Sequence, residues 1–203
     1  MTDNKHQSLG TFMNLLGTEM RSRMGNDPAR EAAHRRIFGK TALEAPQGSG
    51  ERPQRQPACR HLQECFAELE KIGGNLGKLA VALREIEPHL SWNNQSERRK
   101  SAVLAQNYAD SFIVGPGGFA PSSAIEIGVS VMAPHTIYPD HRHPPEELYL
   151  VLSQGEWRQN ADAWHEPGVG VVVYNPPDIV HAMRADAKPL FAIWCLPLDK
   201  GAH

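Results

Sequence analysis

Residues Tyr138–Trp157 read YPDHRHPPEELYLVLSQGEW, and the fold turns on how this stretch is read. Histidines, prolines and glutamates crowd its first half. Its second half is a strand-like run through Leu148, Leu150 and Leu152. Side chains on a strand alternate faces with a period of two. His141, His143, Glu147 and Tyr149 carry odd numbers and the leucines even ones. A near-extended chain therefore sends the polar groups to one face and the leucines to the other. Pro144-Pro145 is expected to bend the run between the histidines and the glutamate. Glu146 has the leucines' parity, so it is expected to point outward, solvated or salt-bridged. Arg142, between the histidines, is expected to point away from them.

The strand pattern extends on both sides. DSFIVG, AIEIGVSVM, ELYLVLSQGEW, GVGVVVYN, IVHAMRA and PLFAIWCLPL are short apolar runs separated by Pro, Gly, Asn and Asp. Many short strands within about a hundred residues predict a sandwich or small barrel. Before Ser101 the period is helical. Leu9, Phe12, Met13, Leu16 and Met20 form one stripe, and Leu62, Cys65, Phe66, Leu69 and Ile72 another. Gly73-Gly74 interrupts, and Leu76, Leu79, Ala80, Leu83 and Ile86 form a third. Asp27-Pro28 reads as an N-cap and first-turn pair. Pro46–Pro57 is a linker by composition. The expected organisation is a helical segment, residues 1–100, followed by a β-barrel, residues 101–203. The helices would pack on the outside of the barrel or build a dimer contact.

Bulk properties exclude several classes. A net charge of −2, with no basic block, gives no basis for a nucleic-acid partner. No apolar run is long enough for a membrane span. The N-terminus lacks the pattern of a signal peptide. Cys59, Cys65 and Cys195 contain no CxxC and read as reduced thiols. A cytoplasmic protein is expected, with a periplasmic disulfide as the open alternative.

Two imidazoles and a carboxylate on one face are three of the ligands a divalent metal needs. His181, just after a Pro-Pro-Asp turn, is placed to deliver a fourth from a neighbouring strand. The pattern resembles the two cupin motifs, G-x5-H-x-H-x3,4-E-x6-G and G-x5-P-x-G-x2-H-x3-N. His141, His143 and Glu147 match the first. His135 stands at its opening glycine, and Gly155 one residue past its closing one. Gly170, Pro176 and His181 match the second, with Asp178 at the inner glycine and Ala185 at the asparagine. Asp tolerates a left-handed backbone better than most residues. The resemblance implies a mainly β fold with N-terminal helices, a single cupin barrel, and one Zn, Fe, Mn, Ni or Co ion held by His141, His143, Glu147 and His181.

Over Tyr138–Arg184 the chain also resembles the cupin-type dimethylsulfoniopropionate lyases. In that family a His, a Glu four residues on, a Tyr two further and a distant His surround the metal. His143, Glu147, Tyr149 and His181 have that spacing. The resemblance implies a carbon–sulfur lyase that removes an α-proton from a small zwitterion and releases dimethyl sulfide and acrylate. Tyr149 is then the candidate base and Tyr138 a residue at the site's mouth. Read alone, Tyr149 is better explained as a strand tyrosine bonded to a neighbour, and the family spacing reverses that preference. Trp157, Trp164, Tyr174 and Trp194 are the aromatic faces available to a sulfonium. Cys195 reads as a buried thiol, and His135 and His165 as loop residues. His6, His34, His61, His89 and His203 lack supporting partners. A dioxygenase or isomerase acting on a small acid is the alternative enzyme, because cupins host many chemistries. A non-catalytic binding cupin is the alternative from another class. A homodimer is compatible with a single barrel, although the helices could cover the pairing surface.

Overall fold

The computed structural model describes residues 2–39, 46, 53–94 and 101–198. Half of the expected linker at Pro46–Pro57, residues 47–52, falls outside them, as does His203. The helices are α1 (Thr2–Arg23), α2 (Pro28–Phe38), α3 (Leu62–Ile72), α4 (Gly74–Ile86) and α5 (Ala102–Asn107). Short 3-10 turns cover Pro57–His61 and Glu87–His89. The expected stripes face the interior. In α1, Leu9, Phe12, Leu16 and Met20 are fully buried. The Asp27 carboxylate accepts from the Ala29 and Arg30 backbone amides at 2.9 and 3.2 Å and caps α2. Ile72 departs from its stripe and is 55% exposed. It is the last residue of α3, where Gly73, at φ 70°, turns the chain away.

Eight strands follow among the described residues: β1 (Tyr108–Val114), β2 (Ile125–Met132), β3 (Ile137–His141), β4 (Glu147–Val151), β5 (Glu156–Gln159), β6 (Val172–Asn175), β7 (His181–Arg184) and β8 (Leu190–Pro197). One sheet has the order β1-β2-β8-β4-β6 and the other β3-β7-β5, with antiparallel pairing throughout. This is the cupin barrel that the motifs imply. The single run ELYLVLSQGEW divides into β4 and β5. Gly155 lies between them, where a Cβ would come within 2.5 Å of Leu190 Cδ1.

The core has two parts, one on each face of the five-stranded sheet. The outer face carries Leu148, Leu150, Ile193 and Cys195, packed in one cluster with Leu16, Met20, Ile37 and Phe66 from the helices. The helices therefore cover the barrel's outside. The inner face carries Tyr149, Val151 and Trp194, packed with Tyr138, Trp157 and Met183 of the smaller sheet. Along Glu147–Leu152 the parity read from the sequence is the division between these two clusters, whereas even-numbered Tyr138 reaches the inner one because the β3 register shifts between Tyr138 and His141. Cys195 belongs to the outer one, with its Sγ 4.0 Å from Met20 Sδ. All three cysteines are buried and unbridged.

Candidate functional site

β3 ends at His141, the chain bends at Pro144-Pro145, and β4 begins at Glu147. The bend returns His143 to the side that His141 and Glu147 face. His181 opens β7 directly opposite His141. The turn before it depends on Asp178, whose φ of 59° lies in the left-handed region where the motif has glycine. His135 likewise has φ 58° at the motif's opening glycine.

One ring nitrogen from each of His141, His143 and His181 lies within 4.8 Å of the others. Each ring faces a backbone carbonyl through its Nδ1: Pro139 at 3.0 Å, Pro145 at 2.9 Å and Ile179 at 3.0 Å. A carbonyl can only accept, so each Nδ1 carries a proton and each neutral ring keeps its Nε2 lone pair. Glu147 Oε2 lies 3.5 Å from His143 Nε2 and 3.2 Å from His181 Nε2. His181 Nε2 is buried without a hydrogen-bond partner. Lone pairs that converge on a carboxylate repel unless a cation or added protons intervene. The three imidazoles, with the Glu147 carboxylate beside two of them, suit a single divalent transition metal ion, so the residues fit that group.

Burial opposes ionisation of Glu147, but its contacts with His143 and His181 outweigh burial and hold the carboxyl below its usual range. Burial likewise opposes a charged His143, and Glu147 more than reverses it, so this ring is raised. Asn175 pairs with Glu147 in the β4–β6 register and donates from Nδ2 to Glu147 Oε2 at 2.9 Å. Gln159 donates in turn to Asn175 Oδ1 at 2.7 Å. Neither residue is visible as a site residue in the sequence, since no motif contains it. Their alignment follows from pairing between strands distant in the chain.

Tyr149 is 3% exposed and points into the barrel one layer below Glu147. Burial, then the Glu147 charge, push its phenol well above the ordinary tyrosine range. Tyr138 is buried rather than at the mouth. Its ring centroid lies 4.8 Å from His141 and 4.6 Å from Tyr108. Glu146 points the other way, as its parity requires, but it is buried. It accepts from Arg36 of α2 at 2.5 Å and from the Tyr174 hydroxyl at 2.7 Å. Among the aromatics, Trp157 and Trp194 face inward. Trp164 lies beneath the Arg158 and Arg184 guanidinium groups, and Tyr174 lies beside Glu146. Arg142 and His165 are exposed.

A single cupin barrel with a histidine cluster where its two motifs meet is the class that fold and site define. The dimethylsulfoniopropionate (DMSP) lyase family model matches residues 29–192, and the chain belongs to that family. DddL of Cereibacter sphaeroides is 31% identical over 138 residues, which is 68% of this chain and 57% of that protein. The dimethylsulfoniopropionate lyase DddQ of Ruegeria pomeroyi is 29% identical over 96 residues, 47% of this chain and 48% of that protein. The matched stretch thus spans about half the length of these curated relatives. The crystal structure of DMSP lyase DddQ from Ruegeria pomeroyi DSS-3 superposes with a TM-score of 0.68 at 22% identity, over 96% of this chain and 94% of that one. A chain solved with the DMSP lyases RdDddP and RnDddQII gives 0.70 at 18% identity, over 98% and 95%. These two likenesses establish the fold. Among the described residues no helix is long and apolar enough to cross a membrane.

Proposed function

We propose that the chain is a metal-dependent carbon–sulfur lyase that cleaves dimethylsulfoniopropionate to dimethyl sulfide and acrylate. The observation that carries this reading is the convergence of His141, His143, His181 and Glu147, with Tyr149 beside them, in a chain of the DMSP lyase family. Bound by these four residues, a divalent ion such as Zn or Fe supplies Lewis acidity toward a substrate carboxylate and positive charge that favours a nearby phenolate.

Tyr149 takes the α-proton onto its phenolate oxygen. The C–H electron pair becomes the carbon–carbon double bond, the C–S bond breaks, and dimethyl sulfide leaves with the bonding pair. Acrylate remains, and the proton on Tyr149 returns to solvent. Asn175 and Gln159 hold Glu147. Tyr138, edge-on to His141 and tilted against Tyr108, orients the substrate beside the histidines. The inward faces of Trp157 and Trp194 suit the sulfonium end.

Residues 1–100 act as a helical cover and 101–203 as the metal-binding barrel. Any pairing of two chains uses a surface other than the outer sheet face, which the helices bury. Three unbridged thiols fit a cytoplasmic location. Metal-loaded protein incubated with dimethylsulfoniopropionate should release dimethyl sulfide into the headspace, measured by gas chromatography. Loaded protein that releases none overturns the lyase reading.

A further inference from the structure

Glu147 carries its carboxylate from a lightly held point of the sheet. It is the first residue of β4. On one side it pairs with Asn175 of β6, but pairing with β8 begins only at Leu148. Before it stand Pro144 and Pro145, which have no backbone N–H to give to a ladder. The bend is tied further upstream, where the His143 carbonyl accepts from the Asp178 amide at 3.0 Å. Between that bond and the start of the ladder comes Glu146, which is anchored by its side chain.

Both Glu146 carboxylate oxygens are occupied. Arg36 Nη1 of α2 donates to Oε1 at 2.5 Å, and the Tyr174 hydroxyl of β6 donates to Oε2 at 2.7 Å. Donors on separate oxygens fix the plane of a carboxylate as well as its position. The Glu146 side chain is 8% exposed, so this is not an ion pair of the weak surface kind. α2 is a firm base for the contact. Asp27 caps its start, and Ile37, next to Arg36, is fully buried in one cluster with Leu148 and Leu150.

The arrangement repeats on the two faces of the sheet. Inside, Asn175 donates to Glu147 at 2.9 Å. Outside, Tyr174 donates to Glu146. The dipeptides Glu146-Glu147 and Tyr174-Asn175 are thus bound to each other on both faces. Gln159 Nε2 joins the two layers, donating to the Tyr174 carbonyl and to Asn175 Oδ1, each at 2.7 Å. A working metal centre requires its ligands to be held within about 0.5 Å of their proper places. We propose that Glu146 is a positioning residue of the metal centre: gripped by Arg36 and Tyr174 on the outer face, it fixes the backbone from which Glu147 enters the site. This rests on the proposed function for the ion that Glu147 and the histidines hold. It adds that the helical segment, through Arg36, is part of what shapes the centre and not only a cover.

The test is the zinc affinity of the full-length protein, measured by chelator competition, beside the visible spectrum of the cobalt-loaded form, which reports ligand geometry. Glu146→Ala should weaken zinc about tenfold or more, the scale of outer partners of metal ligands, and should change the cobalt spectrum. Arg36→Met and Tyr174→Phe each remove one donor, and each should weaken zinc about threefold. Added to Glu146→Ala, neither should weaken it more than about twofold further, because the three residues act as a unit. Glu19→Gln is the control. It breaks another buried carboxylate–arginine pair, Glu19 with Arg23 at 2.6 Å, away from the site. It should lower the melting temperature, keep zinc affinity within about twofold of the parent and leave the cobalt spectrum unchanged. If Glu146→Ala does not fold, as judged by circular dichroism, the two single-donor variants decide. Parental affinity and spectrum in the Glu146 or single-donor variants, or an equal loss of zinc in Glu19→Gln, overturns the proposal. So does a parent protein that binds neither ion. Release of dimethyl sulfide is scored separately. Protein that releases none, yet loses zinc affinity with Glu146, keeps this proposal and loses the lyase reading; protein that releases it, with parental zinc affinity in Glu146→Ala, does the reverse.

Discussion

Glu147 and Tyr149 differ by two residues and are assigned different work by what surrounds them. Glu147 is buried against two histidines and an asparagine, which favour its charge. Tyr149 is buried beside that charge, which disfavours its own. Tyr149→Phe keeps the ring and removes the oxygen. It should retain metal by elemental analysis and lose about 10²-fold or more in kcat, the usual scale for a missing acid–base group. Near-parental turnover would remove Tyr149 from the base role. Asn175→Ala leaves the four candidate ligands intact but removes the donor to Glu147. Outer partners of metal ligands typically contribute about 10–100-fold in affinity, so chelator competition should show a loss of that size. His181→Ala, assayed in parallel, should leave no bound metal. The meeting of His141, His143 and His181 with Glu147 beside two of them, the inward Tyr149 and the outward Glu146 were legible in the sequence because period-two parity and motif spacing are local. Asn175 and Gln159 were not. Their roles depend on which residue of a distant strand stands opposite, which no local pattern encodes.

At the scale of the element, the six apolar runs correspond to seven of the eight strands, and β3 is the exception. It contains Pro139, its pairing with β7 shifts between Tyr138 and His141, and Ile137 is 55% exposed. It therefore lacks the apolar density that marks the others, although parity already treats it as near-extended. The helices were readable as stripes because each buries one face. α5 was not, since its six residues bury Leu104 and no periodic set. β2 carries the most specific demand in the sheet. Ile125, Ile127, Val129 and Val131 on one face are apolar and buried, but position 128 on the other must lack a side chain so that Trp194 can lie across it. Gly128→Ala forces the indole aside in a packed interior, which typically costs about 1–3 kcal/mol. The melting temperature should fall, and near-ultraviolet circular dichroism of the tryptophans should change. An unchanged melting curve would show that the indole has a second seat of equal energy.

For the whole molecule, the histidine–carboxylate cluster makes stability depend on both pH and metal, in opposite senses. Glu147 is lowered, so its contribution is present above its unfolded value of about 4.3 and is lost as pH falls through the folded one. His143 is raised, so its contribution is complete below about 6.5 and is lost as pH rises through its folded value. With metal stripped, the pair therefore stabilises the fold most between these limits, where both partners are charged. Metal binding requires the opposite state, because a ligating imidazole must be neutral at Nε2 and protons compete for that atom. A ligand that binds the native state alone raises stability according to its concentration relative to its dissociation constant. The gap in melting temperature between zinc-loaded and stripped protein should therefore widen from about pH 5.5 to about pH 8. In His181→Ala that gap should shrink at every pH. A gap in the parent protein that stays constant or narrows toward pH 8 would show that these imidazoles do not hold the ion. A purely electrostatic effect of net charge would move the loaded and stripped curves together.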